Sequence, residues 1–313
     1  MKKKLLIILG PTATGKTDLA INIAKKLNGE LIACDSRQIY KGLDLGSGKY
    51  PNQYKNVEKS HGLWRVDGVA IHLYDLLEPQ QIFSAADFAA QAKVVLKKMS
   101  PDKLPILVGG GGLYIRALLS GLSNQVDINP TLREHLESES LESLQKLAKE
   151  KNVEKFDRLN NSDKNNKRRL VRQLEVLEQG VVSVIEGIEK DYETLKVGLT
   201  GPRDYLYQRV NDRVDSRLES GLVEEAKGLI ANGLTLERMH QLGLEYDVLA
   251  DLIEGRIGEE EFKSILKQKI RNYLKRQLTW FNKEPNVKWF DITEVKLPEV
   301  EKTVSEWYHT GNE

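Results

Sequence analysis

The sequence predicts an α/β fold in which a parallel sheet is flanked by helices and interrupted by an inserted all-helical domain. Three observations carry that expectation. Leu5-Leu6-Ile7-Ile8-Leu9 is an apolar run of strand length that opens into Gly10-Pro11-Thr12-Ala13-Thr14-Gly15-Lys16-Thr17, a G-x-x-x-x-G-K-T pattern, and then into an amphipathic helix over 18–27. Further short apolar runs at 31–34, 71–77, 105–108, 196–200 and 287–291 are interleaved with helical patterns, as in βαβ units. Between 122 and 194 strand signals stop, and charge-rich helical segments such as 132–150 and 167–177 replace them. The expected division is residues 1–121 with 195–313 as the α/β core, and 122–194 as the insertion.

The first strand-turn-helix is a P-loop, and its chemistry needs that order. Glycines let the backbone wrap closely enough for several N–H groups to point at one phosphate. The helix N-terminus adds its positive dipole end, Lys16 adds a point charge, and the Thr17 hydroxyl can hold Mg²⁺. The strand at 31–34 runs into Asp35-Ser36-Arg37-Gln38, at the end where open α/β sheets place ligands. Residues 40–54, rich in Gly and Lys, read as loop, and 64–70, centred on Asp67-Gly68, as a small hairpin. Ser84 is the expected N-cap of a helix over 84–99. After the buried-strand pattern at 105–108, Gly109-Gly110-Gly111-Gly112 opens a helix at Leu113-Tyr114. Those glycines either bring backbone close to a ligand or let strand and helix pack tightly. Beyond the insertion, helices are expected over 204–219, 223–232, 259–282 and 299–309.

Composition bounds the function. The 313 residues are 40% hydrophobic and 30% charged, with a single cysteine, Cys34. That excludes an intramolecular disulfide, and no Cys/His cluster suggests zinc. Met1-Lys2-Lys3-Lys4 precedes an apolar run of strand length that feeds the P-loop, so it is no signal peptide. No segment approaches the ~20 apolar residues of a membrane span, and a cytoplasmic protein, most simply a monomer, is expected. The net charge is +1, but it is segregated. Lys164, Lys167, Arg168, Arg169 and Arg172 fall together without one acid, and Lys263, Lys267, Lys269, Arg271, Lys275, Arg276, Lys283 and Lys288 stand against Glu284 alone. Acids gather elsewhere, at 134–142 and 254–261. Such runs are either solvated helix faces or a nucleic-acid surface.

Several blocks, in order and over nearly the whole chain, resemble the tRNA dimethylallyltransferase (tRNA isopentenyltransferase) family. They are Gly10 to Thr17 with Asp18-Leu19-Ala20, Asp35-Ser36-Arg37-Gln38-Ile39-Tyr40 continuing to Gly46, His72-Leu73-Tyr74-Asp75, Ser84-Ala85-Ala86-Asp87-Phe88 and Pro105-Ile106-Leu107-Val108-Gly109-Gly110. Arg169-Leu170-Val171-Arg172-Gln173-Leu174-Glu175-Val176, Leu206-Tyr207-Gln208-Arg209-Val210-Asn211-Asp212-Arg213-Val214, Gly221-Leu222-Val223-Glu224-Glu225 and Lys275-Arg276-Gln277-Leu278-Thr279-Trp280-Phe281 complete the set.

The resemblance implies transfer of a dimethylallyl group from dimethylallyl diphosphate to the exocyclic amine of an adenosine beside a tRNA anticodon. The leaving group is then a diphosphate, which a P-loop binds with no nucleotide involved. Gly10, Pro11, Thr12, Ala13, Thr14, Gly15, Lys16 and Thr17 would cradle it, with Mg²⁺ on Thr17 and a further cation from Arg213 of the Arg209/Arg213 pair. Asp35 would be the base that takes the amine proton; its other readings are a second carboxylate on the metal or a helix cap. Ser36, Arg37 and Gln38 would meet the flipped adenine. Gly111 falls where the family approaches the same substrate, and Arg133, Arg168, Arg169 and Arg172 on its tRNA contacts.

The chain also departs from the family pattern. Gly111 stands where the family has threonine, Gly243-Leu244 where it has Gly-Tyr, and residues 55–70 look inserted. The zinc-finger extension of eukaryotic relatives is absent, so a bacterial-type enzyme is expected. Rival readings are a small-molecule or nucleoside kinase that binds ATP, a free-adenylate prenyltransferase, and a catalytically impaired tRNA binder.

Overall fold

The structure, a computed structural model, describes residues 2–50, 56–125, 129–180 and 183–310, with the backbone alone at 123–125 and 183. The expected loop over 40–54 and the inserted stretch from 55 run partly through 51–55, outside the described residues. The chain divides into two compact units, Met1–Leu119 with Ile188–Glu313, and Ser120–Gly187.

In chain order the first unit begins with β1 (Lys3–Leu9), α1 (Lys16–Leu27), β2 (Gly29–Ala33), β3 (Val57–Ser60), β4 (Leu63–Val66), β5 (Val69–His72), α2 (Ala85–Lys98), β6 (Leu104–Gly109) and α3 (Gly112–Leu119). The second unit follows with β7 (Gly121–Gln125), α4 (Pro130–Ser138), α5 (Leu141–Lys151), α6 (Val153–Asp157), α7 (Asn161–Lys164), α8 (Lys167–Gln179) and β8 (Ser183–Glu186). The chain returns to the first unit through β9 (Tyr192–Thr200), α9 (Arg203–Glu219), α10 (Leu222–Ala231), α11 (Leu236–Leu242), α12 (Glu245–Ile253), α13 (Glu259–Phe281), β10 (Val287–Asp291) and α14 (Leu297–His309).

One sheet runs β10-β9-β1-β6-β2-β5-β4-β3, parallel from β10 to β5 and antiparallel across β5, β4 and β3. β1 is a near-continuous apolar run because both faces of the sheet are covered. Leu5, Ile7 and Leu9 pack with α2, α3 and α9 to α13, while Leu6 and Ile8 pack with α1 and α14. Each such side chain contributes about 1.5–3 kcal/mol on burial. The β1–β6–β2 pairing sets three carboxyl ends side by side.

Local chemistry fixes the boundaries. Ser84 and Asp87 form a capping box that starts α2. The hairpin between β4 and β5 turns at Asp67 (φ 46) and Gly68 (φ 84), the positive angles that a tight two-residue turn requires. The expected strand over 71–77 stops at His72, because Leu73 (φ 71) and Asp75 (φ 52) take left-handed conformations. The helical segment over 132–150 is two helices, since Ser140 caps α5 by accepting the Ser143 N–H. Neither α11 nor α12 was expected.

The second unit is not purely helical. β7 and β8 pair antiparallel as a two-stranded ribbon at its two ends, a pairing too short to leave an alternating pattern in the sequence. Leu136, Leu144, Ala148, Leu170, Val171 and Leu174 form its own small core. Residues 188–194, expected within the insertion, belong to the first unit, where β9 already begins at Tyr192.

Candidate active site

Each of the three adjacent carboxyl ends leads into a segment that the sequence singles out. Gly10 leaves β1 at φ 138, and a Cβ there would lie 2.3 Å from the Leu199 carbonyl oxygen, so only glycine fits. Ala13 (φ 65) and Gly15 (φ 86) turn the loop back, and α1 starts at Lys16. The buried Thr14 hydroxyl donates to the Pro11 carbonyl at 2.9 Å, and Lys16 Nζ donates to the same oxygen at 2.6 Å. Thr14 therefore braces the loop from inside, whereas Thr12, Lys16 and Thr17 line a cavity.

Two cavities share Lys16, Thr17, Gly48 and Arg213. The wider, of about 450 Å³, lies over Ala13, Gly15 and Asp18 and is walled by Arg209, Asp212 and Arg213 of α9. Arg209 Nε donates to the Ala13 carbonyl at 2.7 Å, and Arg213 Nη1 donates to the Thr12 hydroxyl at 3.2 Å. Burial, and then Arg213, pushes Lys16 down to about 7. Burial, and then Arg217, pushes Arg213 down to about 9. Cations held together out of water in this way gain most from an arriving anion. Burial raises the Asp18 carboxyl against the pull of Arg213 and Arg209.

The narrower cavity leads from Thr12 and Lys16 to Asp35. Asp35 Oδ1 accepts the Arg37 backbone N–H at 3.0 Å, an Asx turn, and lies 3.9 Å from Arg37 Nε. Tyr74 and Tyr273 line the cavity as neutral phenols, their pKa raised first by burial and then by Asp35. Gln277 of α13 ties two of the ligand-facing loops together. Its Nε2 donates to the Gly110 carbonyl at 3.1 Å, and its Oε1 accepts the Thr12 N–H at 2.8 Å.

The other expected substrate contacts are placed unevenly. Ser36 is exposed. Gln38 Nε2 lies 3.4 Å from the Ser47 and Gly48 carbonyls. Arg37 is buried, its Nη1 paired with Glu245 and its guanidinium 5.6 Å from the Tyr273 ring centroid. Gly109 and Gly110 line the narrow cavity, but Gly111 does not. The Gly111 N–H donates to the Cys34 carbonyl at 3.0 Å, and a Cβ at 111 would approach that oxygen to 2.8 Å. The position at which the resemblance expects threonine thus has no room for a side chain unless backbone moves.

Further residues to which the sequence assigned no role frame the site. Arg217 Nη1 donates to the Gly46 carbonyl at 3.0 Å and to Glu245 Oε1 at 3.2 Å. The Glu225 carboxylate accepts the N–H groups of Asp44, Leu45 and Gly46 at 3.0, 2.6 and 3.1 Å, and the Tyr246 hydroxyl at 2.7 Å. Lys49 is fully buried between Asp44 (2.9 Å), Asp75 (2.5 Å) and the Tyr40 carbonyl (2.5 Å). These contacts fix residues 44–49, whose Gly48 backs onto Arg213 and Arg217. The available signals were the resemblance blocks that hold Asp44, Asp75 and Glu225, and Gly243-Leu244, the departure that immediately precedes Glu245.

In the second unit, Arg133 binds Glu175 through Nε and Nη2, both at 2.8 Å, and Arg172 Nη1 joins at 3.1 Å. Glu175 is fully buried, so Arg133 also holds α4 to α8, while Arg172 braces Glu175 from one turn away on α8. Arg168 and Arg169 are exposed on α8, and Arg169 pairs with Asp163. The basic run on α13 is partly committed to packing: Lys263 and Lys267 pair with Asp215 at 2.9 and 2.7 Å, and Lys269 pairs with Asp247. Lys275 and Arg276 remain exposed. Among the described residues His240, Asp251 and Glu254 have metal-ligand spacing, but Arg256 ion-pairs both carboxylates and supplies the positive charge there. No described helix is long and apolar enough to cross a membrane.

Residues 38–284 match the family model described as IPP transferase. The tRNA dimethylallyltransferase of Alkaliphilus oremlandii is 39% identical to this chain, over 94% of this chain and 93% of its own length. That of Carboxydothermus hydrogenoformans is 37% identical, over 98% of each. Among solved structures, the tRNA isopentenylpyrophosphate transferase of Bacillus halodurans superimposes with a TM-score of 0.69 at 35% identity, covering 97% of this chain and 96% of that one.

Proposed function

The chain belongs to the IPP transferase family, and on that footing we propose that it transfers the dimethylallyl group of dimethylallyl diphosphate to the exocyclic amine of an adenosine beside the tRNA anticodon. One observation carries the assignment of roles: a phosphate-binding loop, two depressed cations and a carboxylate line two cavities joined at Lys16, Thr17 and Arg213. A diphosphate fits the cationic cavity, and the acceptor amine reaches Asp35 through the narrow one.

In the transfer, the bond between the allylic carbon and the diphosphate oxygen breaks as the bond from that carbon to the amine nitrogen forms. The amine is a weak nucleophile, because its lone pair is delocalised into the purine. Asp35 takes its proton as the new bond develops. Lys16, Arg213 and the P-loop N–H groups neutralise the charge that gathers on the leaving diphosphate. Thr17, with the Asp18 and Asp212 carboxylates lining the same cavity, offers oxygen donors of the kind that suit a hard divalent cation. Mg²⁺ held at Thr17 would supply further positive charge to the diphosphate.

The adenosine must leave its stack to reach Asp35, and Ser36 and Gln38 stand beside its path. Arg168 and Arg169 on the second unit, supported by Arg133 and Arg172, hold the phosphates of the anticodon stem-loop. A kinase would use the same P-loop for ATP, and a free-adenylate prenyltransferase would have no use for the basic run over 164–172.

The test is incubation with labelled dimethylallyl diphosphate, Mg²⁺ and unmodified tRNA, followed by nuclease digestion. Label on adenosine, lost in Asp35→Ala, is expected. ATP turnover without label transfer would overturn the reading.

A further inference from the structure

Glu245 opens α12 with a carboxylate only 5% exposed, and both its oxygens are taken by arginines: Oε2 by Arg37 Nη1 and Oε1 by Arg217 Nη1 at 3.2 Å. It lines the same narrow cavity as Asp35. A buried carboxylate between two guanidiniums, one of which also lies 3.9 Å from Asp35, calls for a reason beyond stability. Such pairs rarely stabilise more than well-packed apolar side chains would.

The charges facing Asp35 supply one. The cations are Lys16 from α1, Arg37 from its own loop, and Arg213 and Arg217 from α9. Among the described residues that line the cavity, the only other anion is Glu245. The phenols of Tyr74, Tyr114 and Tyr273 and the Cys34 thiol are neutral, each raised first by burial. Arg37 already lies 3.9 Å from Asp35 through Nε, yet its Nη1 is turned onto Glu245. Without Glu245, the nearest carboxylate for that planar fork is Asp35 itself. A bidentate arginine pair is the strongest arrangement a carboxylate can enter, and it would occupy both oxygens. A carboxylate held in that way is no longer free to accept a proton from an amine.

We propose that Glu245 is a positioning residue of the reaction, holding the Arg37 and Arg217 guanidiniums away from Asp35 so that its lone pair stays open to the adenosine amine. The inference rests on Asp35 acting as the base. It also gives α12 a function: its first turn sets the electrostatics of the catalytic carboxylate, from the segment at which the chain departs from its family's pattern.

The experiment is single-turnover prenyl transfer to tRNA at saturating substrates, for wild type, Glu245→Gln, Glu245→Asp, Arg37→Gln and the Arg37→Gln/Glu245→Gln pair. Glu245→Gln is expected to slow transfer at least tenfold, up to the ~10²–10⁴ that a general base contributes, while a steady-state titration shows the KM for dimethylallyl diphosphate little changed. Glu245→Asp restores part of the rate. The double variant transfers faster than Glu245→Gln, because the guanidinium that would capture Asp35 has gone. A purely structural role predicts the opposite order, and a double variant no faster than Glu245→Gln would overturn the proposal. Should Glu245→Gln fail to fold, the double variant, which no longer buries an orphaned Arg37, is compared with Arg37→Gln. Similar rates support the proposal, and a much slower double variant overturns it. Asp35→Asn runs alongside: wild-type transfer by that variant would remove the base assignment itself, a different failure from an unaffected Glu245→Gln.

Discussion

Lys49→Met tests whether the loop over 44–49 is held by buried charge. The side chain is fully buried, and its Nζ meets Asp44 at 2.9 Å, Asp75 at 2.5 Å and the Tyr40 carbonyl at 2.5 Å. Methionine keeps most of the stem but removes the charge, and with it the ammonium that lies 5.6 Å from the Trp64 ring centroid. Breaking a buried pair from one side costs about 3–5 kcal/mol. The low end applies here, because Asp44 keeps Lys59 at 2.6 Å and Asp75 keeps the Trp64 indole N–H at 2.7 Å. A loss of about 3 kcal/mol, at roughly 2 °C per kcal/mol for a domain of this size, lowers Tm by about 6 °C. The acid limb of stability should flatten as well. Against the cost of burial, Lys49 and Lys59 hold the Asp44 carboxyl below its ordinary 3.8. A depressed carboxyl contributes stability that is present above that value and lost as pH falls through the folded-state pKa. The variant loses part of that contribution. KM for dimethylallyl diphosphate should rise too, because Gly48 no longer braces Arg213 and Arg217. Thermal melts and urea titrations at pH 7, and then from pH 4 down to pH 2, measure the first two effects. A loss below about 1 kcal/mol would refute the reasoning, since only a solvated pair is worth so little.

Three other outcomes follow from the same contacts. Gly111→Ala places a Cβ 2.8 Å from the Cys34 carbonyl, so a loss of about 1–3 kcal/mol is expected in a urea titration, and Gly111→Thr should not speed transfer. Lys16, pushed down to about 7, is only partly protonated at pH 8. Binding of dimethylallyl diphosphate there should draw in protons, visible in calorimetry as a dependence on the ionisation heat of the buffer and absent in Lys16→Met. The pKa of His240 is raised by Asp247 at 2.7 Å and, after the opposing cost of burial, by Glu254 at 3.2 Å. A raised group stabilises fully below its unfolded value and loses that contribution as pH rises through the folded one. The stability gap between wild type and His240→Gln should therefore be widest near pH 5.5 and shrink by pH 9.

What could be read in advance is what local chemistry determines. The P-loop, the Ser84 cap and the apolar run of β1 each depend on residues within a few positions of one another. Asp35 was legible because it follows a strand beside that loop. The contacts that finish the site join residues far apart in the chain. Thr12 meets Arg213 and Gln277, and Arg37 meets Glu245, at separations of 201, 265 and 208 residues. No periodicity carries such a pairing, so Arg37 looked like a substrate contact while its Nη1 was already taken. β7 and β8 were missed because two short strands closing a long excursion leave no alternation to count. Gly111 looked like a lost threonine, and only the Cys34 carbonyl beside it explains why glycine belongs there.

The balance of charge in the site favours a leaving diphosphate over a transferred phosphoryl group. Lys16, Arg37, Arg213 and Arg217 stand against Asp35 and Glu245 in the narrow cavity, an excess of two positive charges. Glu245 cancels much of the charge on Arg37 and Arg217, which leaves the surplus at Lys16 and Arg213, beside the P-loop. The positive field is thus strongest where the diphosphate departs and weakest where the amine gives up its proton. A phosphoryl-transfer enzyme gains from cations around the attacking oxygen as well. Here the attacking side is lined instead by Tyr74, Tyr273 and an open carboxylate, the environment that a neutral purine amine needs. Removing that negative charge at one residue, as Glu245→Gln does, should therefore impair proton removal while leaving the diphosphate cradle intact.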